Sequence, residues 1–296
     1  MTVDQSRLHI AIQKSGRLSD YSRQLLRDAG LRIQNGKNDL TARVENFAAD
    51  LMFVRDDDIP TFVSDGVCEF GIVGENVLAE YALGEGEARF EIVARLGFGR
   101  CSLRIAAPET SAYSGPDTLR GARIATSYPC LVRRFLEERG IDAEVVKMRG
   151  AVELAPRLGI AGFVCDIVST GATLEANGLR AVETVLDSEA VLVRTARDIG
   201  ERKTGLGESL LSRIDGVLAT RDSKYIMLNA TEESLEKISA ILPGAEAPTI
   251  VPLHGRPGHF AVHAVCQESV FWETLQKLKD AGASAILVVP IEKMMM

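Results

Sequence analysis

Through the first two-thirds of the chain, short apolar runs alternate with polar stretches whose apolar residues recur three and four positions apart. Runs of this kind predict buried parallel strands, and the stretches between them predict amphipathic helices. Strands are expected over Leu8–Ile12, Asp50–Val54, Glu69–Gly74, Phe90–Leu96, Ser102–Ala107 and Ala143–Met148, with another opening from Ala122 toward Pro129. Helices are expected from Ser19 to a stop at Gly30, from Asp58 to Asp65, from Glu75 to about Tyr81, and after Glu153, where Pro156 and Gly159 break the pattern. Strand–helix alternation with short loops makes a doubly wound α/β fold. A new unit begins near Gly97-Phe-Gly-Arg100, and the strands Ala181–Leu186 and Ala190–Thr195 with a helix over Glu201–Ile214 read as a return to the first unit. The expectation is two lobes around a cleft, 1–98 completed by 180–214, and 99–179. From 215 to 296 the order changes. A strand-like Gly216–Asn229, a helix over Thr231–Leu242 capped by Thr231, strands Thr249–Leu253 and Phe260–Cys266, a helix Ser269–Ala281 and a strand Ser284–Val289 give the ferredoxin-like β-α-β-β-α-β plan. Pro243-Gly244 and Arg256-Pro-Gly258 mark its turns. This last domain carries no catalytic set, which suits regulation or assembly.

One handover from strand to helix stands out. The apolar run beginning at Gly162 ends in Asp166, and Ser169, Thr170 and Thr173 then surround Gly171 and Ala172 before a short helical stretch closed by Gly178. A small-residue loop there turns several backbone N–H groups toward one point, and a helix N-terminus adds positive potential, so the loop reads as a phosphate cradle. No Lys or Arg lies between Asp166 and Asn177, which suits a small terminal monophosphate, with Asp166 left to accept from sugar hydroxyls. The same residues also describe an ordinary capped turn. After the first strand, Gln13-Lys-Ser-Gly-Arg17 sets two cations, Lys14 and Arg17, where open α/β sheets bind ligands, or else forms a solvated basic loop. Glu69, Glu75 and Asn76 flank the strand ending at Gly74; they suit an adenine edge or ribose, and equally suit capping. Ser127 or Tyr128 before Pro129 marks a second helix N-terminus able to take an anion. The acids Asp56, Asp57 and Asp58 read as a helix start, because neighbouring side chains diverge too far to share one metal ion.

Composition narrows the classes further. Of 296 residues, 46% are hydrophobic and 25% charged, and the net charge of -7 with no basic stripe argues against a nucleic-acid partner. No run approaches a membrane span or a cleavable leader, so a cytosolic protein is expected. The five cysteines are scattered without a C-x-x-C pair, and with four His no zinc spacing arises; reduced core thiols are expected. No P-loop, no dinucleotide fingerprint after the first strand and no G-x-S-x-G elbow occurs.

Asp166-Ile-Val-Ser-Thr-Gly-Ala-Thr-Leu-Glu-Ala-Asn-Gly-Leu179 resembles the signature loop of the ATP phosphoribosyltransferase family, the first enzymes of histidine biosynthesis. Lys14-Ser-Gly-Arg-Leu18, the stretch Gly66 to Asn76, Ala125-Thr-Ser-Tyr-Pro129 and Gly150-Ala-Val-Glu153 resemble further family segments in the family's order. The resemblance implies two lobes like those of periplasmic binding proteins and a C-terminal domain of the long, allosteric form that binds histidine. It implies that N1 of ATP displaces pyrophosphate from C1 of phosphoribosyl pyrophosphate with Mg²⁺ on the leaving group, in dimers that assemble into hexamers. Under it, Ser169, Thr170, Gly171, Ala172 and Thr173 hold the 5-phosphate and Asp166 the ribose. Lys14 and Arg17 stabilise the departing pyrophosphate, and Glu69, Glu75, Asn76, Tyr128 and Glu153 face ATP. Purine-salvage phosphoribosyltransferases carry adjacent acids before the loop, whereas Cys165-Asp166-Ile167 has one. The competing readings are a non-catalytic two-lobed binder of small molecules and a phosphoribosyltransferase with another acceptor base.

Overall fold

The computed structural model describes residues 4, 6–34, 40–85, 88–221, 223–242 and 247–294; the turn expected at Pro243-Gly244 lies outside them. The chain opens with β1 (Leu8–Gln13), buried almost throughout, α1 (Ser19–Asp28), the short β2 (Thr41–Arg43) and β3 (Ala49–Val54). A 3-10 turn over Asp56–Asp58 leads into α2 (Ile59–Ser64), then β4 (Phe70–Gly74), α3 (Glu75–Glu85) and β5 (Phe90–Arg95). Next come β6 (Cys101–Pro108), β7 (Arg123–Thr126), α4 (Pro129–Glu137), β8 (Glu144–Lys147), β9 (Phe163–Val168), α5 (Ala172–Ala176), β10 (Leu179–Ser188), β11 (Ala190–Thr195) and α6 (Gly200–Leu218). The last elements are β12 (Ser223–Thr231), α7 (Leu235–Ile241), β13 (Thr249–Pro252), β14 (His259–Gln267), α8 (Glu268–Asp280) and β15 (Ser284–Pro290).

Among the described residues these strands form three sheets, ordered β2-β3-β1-β4-β11-β5, β10-β6-β9-β7-β8 and β13-β14-β12-β15. The first two sheets repeat one plan. In the first, β1 lies between β3 and β4, parallel to both, and β4 then pairs antiparallel with β11, which carries β5 at the edge. In the second, β7 lies between β8 and β9, parallel to both, and β9 pairs antiparallel with β6, which carries β10. In each sheet the antiparallel inner strand follows a crossing from the other sheet, β5 to β6 and β10 to β11. This is the two-lobed plan of periplasmic binding proteins.

Three expectations shift. Residues 180–188 do not return to the first lobe: β10 stays in the second sheet as its edge, and the return starts at Ala190. Charge explains the difference. Arg180 and Glu183 need a solvent-facing edge, whereas Ala190–Val193 is buried without interruption and suits a sheet interior. The helix expected after Glu153 reduces to a 3-10 turn over Val152–Leu154, since Pro156 prevents a regular continuation. The strand expected from Gly216 begins only at Ser223, because the buried spacing Leu210, Ile214, Val217 carries α6 on to Leu218.

The first two sheets belong to a compact unit that reaches to Gly207, and the third to a second unit made of Asp28–Gly30 and the chain from Glu208 onward. All pairings in the third sheet are antiparallel, and the βαββαβ order with β12 and β14 at its centre is ferredoxin-like. Its core alternates along the strands, Ile226, Leu228 and Ala230 with Val262, Ala264 and Cys266, under Ile238 and Leu278. The Thr231 N–H donates to Ser234 Oγ at 2.9 Å where the helical segment starts. All five cysteines are free thiols, and no described helix is long and apolar enough to cross a membrane.

Candidate active site

The carboxyl ends of the parallel strands in both lobes meet at one cavity of about 240 Å³. Gln13 and Arg17 reach it from the loop after β1, Asp56 from the turn after β3, Gly74 and Asn76 from the β4–α3 junction, Tyr128 from the start of α4, and Asp166 from β9. Ligands bind at such ends because the loops that follow the strands are free to vary while the sheet holds their roots. A second cavity of about 450 Å³ is lined by Lys14, Ser15, Arg55, Asp56 and Asp58, so Asp56 belongs to both.

The loop after β1 is held by its backbone. Lys14 N–H donates to Val54 O at 2.8 Å, Leu18 N–H to Gln13 Oε1 at 3.0 Å and Ser19 Oγ to Lys14 O at 3.1 Å. Gly16, at φ +108°, makes the turn that an L side chain would resist. Lys14 and Arg17 are therefore exposed cations on a fixed loop. Arg17 Nη1 donates to Gly99 O, on the crossing between β5 and β6.

Beyond β9, Gly171 caps α5 at φ +88° and Leu174 anchors it in the core, while Ser169, Thr170 and Thr173 stand exposed. Their hydroxyls make no hydrogen bond to the described residues, so they are free for a ligand. The expected contribution of a helix dipole needs correction, because α5 is only five residues long. Asp166 is half-buried, and burial raises its carboxyl above the usual range, reinforced by nearby Glu153 and opposed by the Ile167 N–H at 2.8 Å. Glu153 sits in the 3-10 turn that follows Ala151, a non-glycine residue at φ +50°.

Tyr128 is half-buried, and its phenol is pushed well above the usual range, first by burial and then by the negative charge of Asp56, Asp166 and Asp57. It stays protonated at neutral pH. Asn76 Nδ2 donates to its oxygen at 2.9 Å and links the two lobes.

Several expected contacts resolve otherwise. The N-terminus of α4 does not offer an anion site, because Glu80 of α3 already fills it, accepting from Cys130 and Leu131 N–H at 2.9 Å each. Glu69 lies at the amino end of β4, away from the cavity, and is 3% exposed. It accepts the His9 N–H at 2.6 Å and pairs with Lys203. An internal cation, not a nucleotide, satisfies that carboxylate. Glu75 forks onto Arg95 at 2.7 and 2.8 Å. It lines a separate cavity of about 520 Å³ with Arg95, Glu189 and Ser169 beside the lobe crossings. Gln13 and Asp56 are cavity residues that pattern reading misses. Gln13 ends its strand and Asp56 begins an acidic turn, so position relative to β1 and β3 was the only available signal.

Among the described residues, no three His, Cys, Asp or Glu side chains gather into a metal cage. Residues 55–216 match the family model described as ATP phosphoribosyltransferase, and residues 220–293 match that of the HisG C-terminal domain. The ATP phosphoribosyltransferase of Maricaulis maris (strain MCS10) is 53% identical over 291 residues, covering 98% of this chain and 99% of the relative. A chain in the ATP phosphoribosyl transferase (HisG:HisZ) complex from Thermotoga maritima is similar at TM-score 0.58 and 25% identity, over 70% of this chain and 98% of that one. With both family models matched in order on one chain, and a relative similar nearly from end to end, the chain belongs to the ATP phosphoribosyltransferase family.

Proposed function

We propose that the cavity bounded by Gln13, Arg17, Asp56, Asn76, Tyr128 and Asp166 is where this chain transfers the phosphoribosyl group of phosphoribosyl pyrophosphate to N1 of ATP, releasing pyrophosphate. The observation that carries this reading is the meeting of strand ends from both lobes. It brings Asp166 to the same cavity as Arg17 of the loop after β1, and the exposed hydroxyls of Ser169, Thr170 and Thr173 follow Asp166 directly in the chain. Adenine N1 has its lone pair available at neutral pH, so the site needs no strong general base, and orientation of the two substrates supplies much of the rate. The 5-phosphate sits on Ser169, Thr170, Gly171, Ala172 and Thr173, and Asp166 accepts from the ribose hydroxyls. Tyr128 faces the nucleotide, with Glu153 beside Asp166. Lys14 and Arg17 meet the charge that grows on pyrophosphate as the C1–O bond breaks, the interaction that strengthens most toward the transition state.

Magnesium fits this donor set. It retains several waters and takes one or two carboxylates together with substrate phosphates, and the cavity offers Asp56 for that purpose beside the ribose-binding Asp166. When bound it neutralises pyrophosphate charge. The C-terminal ferredoxin-like domain is the place for feedback inhibition by histidine, the assembly is a dimer that forms hexamers, and the compartment is the cytosol.

The cradle is tested by Ser169→Ala and Thr173→Ala. Each loses one hydrogen bond to an anionic phosphate, worth about 1.5–3 kcal/mol, so KM for phosphoribosyl pyrophosphate should rise by about tenfold or more. Steady-state kinetics identical to the parent in both variants would remove the loop from the site.

A further inference from the structure

Asn76 is 2% exposed, and its backbone N–H and both ends of its side-chain amide are hydrogen-bonded. Its backbone N–H donates to Ser188 Oγ at 3.0 Å, and the Ser188 hydroxyl donates back to Asn76 Oδ1 at 2.8 Å. Ser188 is 6% exposed and ends β10, just before the chain crosses from the second sheet to the first. A hydroxyl has one proton. Ser188 Oγ accepts from the backbone N–H and gives that proton to Asn76 Oδ1, and with the oxygen turned to Ser188 the amide NH2 faces the other way. There it donates to the Tyr128 oxygen at 2.9 Å. A phenol oxygen that accepts this bond keeps its own proton free, and Tyr128 lines the cavity. Asn76 Oδ1 lies where a side chain at position 74 would stand, since a Cβ on Gly74 would collide with it, so this arrangement of the amide needs a glycine there.

We infer that Ser188 and Asn76 are positioning residues that fix the direction of the Tyr128 hydroxyl, so that it donates its hydrogen bond to an acceptor atom of the bound nucleotide. The inference rests on the reading of the cavity given above. Without the Ser188 hydroxyl, the amide turns over and presents Oδ1 to the phenol. Tyr128 then donates inward to Asn76 and turns lone pairs toward the nucleotide, which loses its donor. The proton stays on Tyr128 in either case, because burial and the neighbouring carboxylates of Asp56 and Asp166 oppose its loss. Ser188 thus acts on the substrate through two residues without touching it.

The test is a double-mutant cycle on kcat/KM for ATP, with melting midpoints measured alongside. Ser188→Ala is expected to lower kcat/KM about tenfold, and Tyr128→Phe by at least as much, the worth of one donated hydrogen bond. The double variant should match Tyr128→Phe alone, because the hydroxyl being aimed is already gone. Ser188→Thr, which keeps the hydroxyl, should return activity to within about twofold of the parent. If Ser188→Ala fails to fold, Asn76→Asp takes its place: a carboxylate has no NH2 to offer, so the phenol must donate inward and the same loss is expected. Losses that multiply in the double variant, or parental kinetics in Ser188→Ala, overturn the relay while leaving the cavity assignment standing. Parental kinetics in Tyr128→Phe overturn that assignment and the relay with it, and a parent that forms no adduct overturns the reading of function itself.

Discussion

Replacing Arg17 by Met lowers kcat by about two orders of magnitude while KM for either substrate changes much less. Transfer separates an oxocarbenium-like sugar from pyrophosphate, so negative charge on the leaving oxygen is larger in the transition state than in the bound substrate. A fixed cation aimed at that oxygen stabilises the first more than the second, and its loss appears in kcat and kcat/KM together. Arg17 is suited to the part because its loop is fixed by Gly16 and by backbone hydrogen bonds, and because one Nη is tied to Gly99 O. Arg17 lines the cavity, and a guanidinium offers further donors beyond the one held at Gly99 O. Arg17→Lys retains charge without the fork and is expected to fall between the two. Steady-state measurements on the three proteins decide the matter: a kcat for Arg17→Met within about twofold of the parent would leave the cation without a role in the transition state.

The largest effect on stability belongs to Glu69. The carboxylate is 3% exposed, and its partner Lys203 keeps only 13% of its side chain accessible. Removing one member of such a pair leaves the other charge buried and uncompensated, at a cost of about 3–5 kcal/mol. For a unit of this size Glu69→Ala should lower the melting midpoint by about 10 °C. The cavity lies at the other end of β4, so kcat at moderate temperature should be close to the parent's. The pH dependence has a definite sign. Burial alone would raise the Glu69 carboxyl, but hydrogen bonds from His9 and Lys203 outweigh it and hold the group below its usual range. A carboxyl depressed by folding contributes stability above its unfolded pKa, about 4.3, and loses that contribution as pH falls through the lower folded value. The gap between the parent and Glu69→Ala should be full at neutral pH and narrow in acid. An equal gap at every pH would assign the loss to packing instead of the ion pair.

What could be read from sequence alone follows the range of the interactions concerned. The β1, β4 and β9 runs are legible because each strand is covered on both faces, so its apolar character is continuous. The handover from Asp166 to Thr173 is legible because small residues, a glycine and hydroxyls lie within one turn of chain. The ferredoxin-like order of the last domain emerges from alternation in β12 and β14, whose outer faces are only partly covered. Contacts between distant residues leave no such trace. Glu80 reads as one more acid on a helix, and nothing local says that it caps α4 fifty positions later. Glu69 beside Gly74 suggests a ligand contact until Lys203, 134 positions away, is seen to take its charge. Edge and interior strands are also hard to distinguish by length or β-propensity; the charges on β10 are what keep it from joining the first sheet.

The most direct test of the central claim is absorbance of the N1 adduct while protein, Mg²⁺, ATP and phosphoribosyl pyrophosphate are mixed, with and without histidine. Absorbance that rises only when both substrates and the metal are present, and that histidine suppresses, is the predicted result. Binding of both substrates by calorimetry with no adduct formed would contradict the account.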